Sequence, residues 1–179
     1  AALEQVRDIR RRNLGPDHID VVRTSLNMGT VASLAGDHER ALAIFAELEP
    51  ALIATRGTEH PDVLAVRRNE GTALRGLGRL EEARDAFAEA TALAERLFGA
   101  DHPRTGVARG DLGLMLFLTG DHAAAEPQLV ASFEALLARL GREHPATRKG
   151  AENLVAFYEE TRRPDAAETY RAYLGESGR

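Results

Sequence analysis

Residues 57–61 read Gly57-Thr58-Glu59-His60-Pro61, and the pattern returns 42 residues later as Gly99-Ala100-Asp101-His102-Pro103. It returns again, at the same interval, as Gly141-Arg142-Glu143-His144-Pro145. One period upstream stands Gly15-Pro16-Asp17-His18-Ile19, with Ile19 where the other copies carry Pro. Glycine is the residue that most readily ends a helix in the left-handed conformation, and proline fits the first position of the next one. Each copy therefore reads as a corner between two helices. Halfway along each period comes a second breaker, Gly36, Gly78 or Gly120, with Arg162 in the fourth copy. Five residues on lie Ala41, Ala83, Ala125 and Ala167, followed by Phe45, Phe87, Leu129 and the divergent Arg171. A fixed period of this length marks a stacked repeat, in which each unit buries its apolar face only against its neighbours.

Within a period, the first helix is expected from the His-Pro step to the mid-repeat glycine, for example about Ile19 to Ala35. The second is expected from about His38 to Arg56, where Leu42, Phe45, Leu48 and Leu52 recur at helical spacing. No unit shows two-residue alternation, so no strand is expected. Gly29, Gly71, Gly113 and Ala41 fall where one helix must approach another closely. Residues 1–14 fit the same grid, with Leu3 and Val6 in the columns of Phe45 and Leu48. The predicted architecture is all-α: nine helices, one partial and four pairs, in a right-handed α-solenoid. It forms a single repeat domain over 1–179, with 1–14 the tail of a preceding repeat and repeats at 15–56, 57–98, 99–140 and 141–179. A chain that opens inside a repeat leads us to expect a fragment of a longer protein, or missing first residues, with an apolar stripe at the uncapped end open to self-association.

Composition narrows the function classes. The 179 residues are 44% hydrophobic but 5% aromatic, an Ala-, Leu- and Val-based apolar content suited to close helix packing. A net charge of −5 argues against a nucleic-acid partner, which needs a basic face to displace phosphate counterions. Without cysteine there is neither a disulfide framework nor a thiolate zinc site. No run approaches the roughly 20 apolar residues of a membrane span, and no secretory signal opens the chain. The expectation is a cytoplasmic protein that does not engage membranes. The preference for Arg over the single Lys149 suggests a bacterial coding bias.

The corner Leu14-Gly15-Pro16-Asp17-His18-Ile19-Asp20-Val21, the step Asn27-Met28-Gly29 and the turn Gly78-Arg79-Leu80-Glu81-Glu82-Ala83 resemble the kinesin-light-chain type of tetratricopeptide repeat (TPR). The resemblance covers about residues 1–174. It implies a superhelix of helix pairs that acts as a protein-binding module within a larger signalling or scaffold protein. Glu70 departs from the family pattern, standing in a column otherwise held by Met28, Leu112 and Leu154, and Pro50 falls inside a second helix, where a kink is expected.

Candidate chemistry competes with the needs of the fold. Six histidines invite a metal site, but His18, His60, His102 and His144 come one per repeat, about 10 Å or more apart, so helix-end capping is the preferred reading. Asp37-His38-Glu39 and Asp121-His122 sit at turns with no nucleophile in a recognisable setting. Gly106, Gly110 and Gly113 suit close packing better than a phosphate cradle. No catalytic residue, metal ligand or cofactor is expected, and the chain is not expected to be an enzyme. The Arg-rich stretch Arg67, Arg68, Arg75 and Arg79 is either a solvated helix face or, in part, a surface for an acidic peptide.

The resemblance further implies that first helices line a concave groove in which an Asn column grips ligand backbone. Here that column is Asn27, Asn69, Asp111 and Asn153, flanked by Arg23, Arg68, Arg75, Thr30, Thr72 and Lys149. Asn both donates and accepts, matching a peptide unit. The expected partner is a protein or peptide, with its acidic part over repeats one and two. The alternative is a structural, self-assembling or intramolecular regulatory solenoid without a dedicated peptide ligand.

Overall fold

A computed structural model describes residues 2–175. Among them are nine α-helices, a short 3-10 helix at Ala172–Leu174 and no strand. The helices are α1 (Ala2–Leu14), α2 (Ile19–Leu34), α3 (His38–Arg56), α4 (Pro61–Gly76), α5 (Leu80–Phe98), α6 (Pro103–Leu118), α7 (His122–Leu140), α8 (Pro145–Glu160) and α9 (Pro164–Arg171). This is the all-α repeat of paired helices read from the 42-residue grid. None of these helices is long and apolar enough to cross a membrane.

The corners are built as their residues dictate. At His18, His60, His102 and His144 the ring Nδ1 accepts the backbone N–H two residues on, at 3.2, 3.1, 3.1 and 3.1 Å. A histidine thus does the N-cap work usual for Ser or Asp, and only an unprotonated Nδ1 can accept. Asp37 and Asp121 cap α3 and α7 in the ordinary way, at 3.3 and 3.1 Å. The mid-repeat turns need positive φ, which Gly36, Gly78 and Gly120 adopt at 83°, 73° and 87°. In the fourth copy Arg162 takes φ 57°, the only positive-φ residue other than glycine among those described.

The chain divides into two compact units, Ala1–Leu93 and Ala94–Arg179, with the division falling inside α5. In the first unit, Phe45 and Phe87 are buried and pack onto α2 and α4 at Gly29 and Gly71. A Cβ at Gly71 would lie 2.9 Å from the Phe87 ring, so the column is small because the aromatic occupies its space. α1 contributes no buried residue; Leu3, Val6 and Ile9 remain exposed. It is held by Arg10 Nη1 donating to Thr24 Oγ1 at 2.8 Å and by the Arg40–Glu4 pair at 2.6 Å. α3 continues through Pro50, which sits on its exposed side, where the lost backbone bond leaves a carbonyl near solvent.

In the second unit, Gly106, Gly110 and Gly113 all face α7. A Cβ at Gly113 would meet Leu129 Cδ2 at 2.9 Å, and one at Gly110 would meet Ser132 Oγ at 2.8 Å. These glycines serve helix approach. Leu129, Phe133, Leu154 and Phe157 form the core here, with Tyr170 and Tyr173 edge-on to Phe133 at 5.2 and 4.9 Å.

Candidate functional site

On α2, Arg23 and Asn27 are exposed and Thr30 is half-buried; on α4, Arg68, Asn69 and Thr72 are half-buried and Arg75 is exposed. The first unit brings two of these together: Asn69 Nδ2 donates to Thr30 Oγ1 at 3.2 Å. The Thr30 hydroxyl gives its own proton to the Leu26 carbonyl at 2.9 Å, so it is the acceptor in that pair. Asn69 is thereby oriented and keeps its carbonyl oxygen and a second N–H for another partner. Thr72 spends its proton on the Arg68 carbonyl at 3.0 Å, the usual helical back-bond.

The Arg-rich stretch splits by helix face. Arg67 pairs with Glu49 at 2.8 Å and with Glu89 at 3.5 Å, and Arg79 forks onto Glu82 at 2.7 and 2.5 Å. Arg67 lines an acidic cleft of about 280 Å³ together with Glu49, Glu70, Leu74, Glu82, Asp85 and Glu89, while Arg79 holds Glu82 from the turn before α5. Burial pushes the Glu70 carboxyl above its ordinary range. Glu49 and Glu89 add repulsion, only partly offset by Arg67 and Arg79. Arg23 and Arg75 make no ion pair with a described residue.

In the second unit, Asp111, Lys149 and Asn153 converge. With Val107, Gly110, Ser132, Leu136, Ala146 and Gly150 they line one cleft of about 80 Å³, walled by α6 and α8 and floored by α7. Lys149 Nζ also contacts Glu152 at 3.2 Å. This cleft escaped the sequence reading, although a signal was present: Ser132 and Gly150 depart from the apolar Leu48 and Val66 that stand two repeats upstream.

The reading also missed a network beside the fourth repeat. Tyr158 donates to Glu126 at 2.9 Å, and Arg163 pairs with the same carboxylate at 2.6 Å while stacking on the Tyr158 ring at 4.7 Å. The Arg163 and Tyr158 hydrogen bonds pull the Glu126 carboxyl below its usual range. No group of three or more His, Asp or Glu side chains among the described residues sits where it could hold a metal ion.

A family model described as tetratricopeptide repeat matches residues 1–54 and 62–138. No curated protein matches the chain. Among solved structures, the kinesin light chain nearly identical TPR-like repeats of Podosopora anserina superpose with a TM-score of 0.77 at 20% identity, covering 99% of this chain and 86% of that one. A point variant of those same repeats gives 0.78 at 20% identity, covering 98% of this chain and 84% of that one. BtubC (BKLC) from P. vanneervenii gives 0.81 at 16% identity, covering 99% of this chain and 73% of that one. At these identities the likeness is one of fold.

Proposed function

Because the chain belongs to the tetratricopeptide repeat family, whose repeats are generally protein–protein interaction modules on a non-enzymatic scaffold, we propose that it binds an extended peptide segment of a partner on its first-helix faces. Asn27 and Asn69 pair the peptide backbone in the first unit, and Asp111 and Asn153 do so in the second. Arg23 and Arg75, exposed and without ionic partners among the described residues, draw acidic side chains to the first unit. The observation that carries the reading is the convergence of Asp111, Lys149 and Asn153, from two different first helices, on one cleft. Asn69, steadied by Thr30, has the same character in the first unit.

Surface hydrogen bonds of this kind contribute about 0.5–1.5 kcal/mol each, and roughly 1.5–3 kcal/mol where a charge takes part. The test is to capture partners from the source cell, map the bound segment, and titrate it against Asn27→Ala/Asn69→Ala and Asp111→Ala/Asn153→Ala variants. Affinity should fall about tenfold or more for at least one pair while the melting temperature is unchanged. Parental affinity in both would move the reading to the self-assembly alternative, which the exposed Leu3, Val6 and Ile9 of α1 favour.

A further inference from the structure

The second-unit cleft is lined by three small residues. Gly110, Ser132 and Gly150 occupy the columns that Leu26, Leu48 and Val66 hold two repeats upstream. In the first unit Leu48 and Val66 are buried in the packed core, and Leu26 sits half-buried beside them. In the second unit Ser132 and Gly150 leave a hollow in the same place, with Gly110 beside it packed against the Ser132 hydroxyl. Gly106, Gly110 and Gly113 answer to helix approach, but Gly150 does not: a Cβ there would meet Phe133 no closer than 3.6 Å, an ordinary contact. Close packing therefore does not require glycine at 150, where it lines the cleft.

The floor of that hollow is chemically distinctive. Ser132 is 2% exposed, yet its hydroxyl makes no hydrogen bond with a described residue. Serines inside helices ordinarily give that proton to the carbonyl one turn back, as the threonines Thr30, Thr72 and Thr91 do here. That hydroxyl is reachable from the cleft rather than sealed in the core, and so is open to pair with an incoming group. It lines the cleft together with Asn153, whose side chain likewise has no hydrogen bond among the described residues. Val107, Leu136 and Ala146 supply apolar walls. A small apolar-walled hollow with two convergent polar groups has the makeup of a ligand subsite.

We propose that this cleft is a specificity pocket for one hydroxyl-bearing side chain, threonine or serine, of a bound peptide, whose backbone lies across Asp111 and Asn153. The inference rests on reading the first-helix face as peptide-binding. An entering threonine hydroxyl pairs with Ser132 Oγ, and its methyl group meets Val107, Leu136 and Ala146. Valine has the same shape but closes the cleft over an unpaired hydroxyl. A site built around a hydrogen-bonding group discriminates against the isostere that lacks one. The first unit, filled by Leu26, Leu48 and Val66 at the matching places, has no counterpart preference.

The probes are two capped tripeptides, acetyl-Ala-Thr-Ala-amide and acetyl-Ala-Val-Ala-amide, titrated into the 15N-labelled chain by NMR. The amides of Gly110, Ser132 and Gly150 should shift saturably, with the Thr peptide bound about five- to tenfold more tightly than the Val peptide. Ser132→Ala should erase that preference by weakening only the Thr peptide. Gly150→Val, which restores the upstream residue, should block both. The pocket is refuted if neither peptide perturbs these amides, if the parent binds both alike, or if Ser132→Ala keeps the preference. Should Gly150→Val fail to fold, Ser132→Ala alone decides. Loss of a captured partner on Asn27→Ala/Asn69→Ala, with no effect of Ser132→Ala, would leave the peptide-binding reading standing and remove only the pocket.

Discussion

Replacing Glu70 by Leu should stabilise the protein. The equivalent positions carry Met28, Leu112 and Leu154, all buried, whereas Glu70 is a half-buried carboxylate with Glu49 and Glu89 nearby. Burial is the largest influence raising its affinity for a proton, the two neighbouring carboxylates add to it, and Arg67 and Arg79 oppose it. The folded state therefore holds the proton to higher pH than the unfolded chain, whose glutamate titrates near 4.3. Above that value the unfolded state binds fewer protons, so stability falls as pH rises through the window between the unfolded and the raised folded value. The penalty is complete only once the pH lies above the raised folded value. Leu removes it and adds partial burial of an aliphatic side chain, which full burial would make worth about 1.5–3 kcal/mol. A gain of about 1–2 kcal/mol is expected, or roughly 2–8 °C in melting temperature for a chain of this size. Thermal unfolding followed by circular dichroism at pH 4 and pH 7 reads both effects. Glu70→Leu should melt higher at pH 7 and show less loss of stability between the two pH values than the parent. Glu70→Gln should flatten the pH dependence with a smaller gain. A fall of more than about 1 kcal/mol in the Leu variant, or an unchanged pH dependence in both, would refute the reasoning.

Three further substitutions probe the repeat's corners and contacts. His60→Ala removes the acceptor for the Asp62 N–H and should cost about 1 kcal/mol, while His60→Asn, which can cap, should cost less; thermal melts compare the two. Gly71→Ala drives a methyl group into the ring of Phe87, which is itself buried, and should cost about 1–3 kcal/mol, read from denaturant midpoints. Arg162→Gly relieves a left-handed arginine and should gain about 1 kcal/mol by the same measurement, an outcome reversed if the Arg162 side chain holds α9 in place.

The helices were legible because their stop signals are local. Glycine at positive φ and proline at a first helical turn act through their own backbone, and the 42-residue spacing repeats them often enough to be read without neighbours. The packing of Phe45 on Gly29 and Phe87 on Gly71 was also legible, because large and small residues alternate in fixed columns. The site was harder. Asn69 and Thr30 could be placed on one face, but that they touch depends on how α2 and α4 sit against each other. The divided fate of the arginines was hidden for the same reason: whether Arg67 meets Glu49 while Arg75 stays exposed is a matter of helix rotation, not of composition. Ser132 and Gly150 could have been found by asking which columns lose volume in the second unit, a question the grid permits. The Glu126–Tyr158–Arg163 network could not, since its members occupy different columns and meet only through the packing of α7, α8 and α9.

The side-chain amide resonances of Asn27, Asn69 and Asn153 report directly on whether the first-helix faces hold a peptide. With a captured partner segment added to the 15N-labelled chain, these NH2 signals should shift saturably, together with backbone amides of α2, α4, α6 and α8. Shifts confined to α3, α5 and α7, with the three Asn side chains unmoved at saturation, would contradict it.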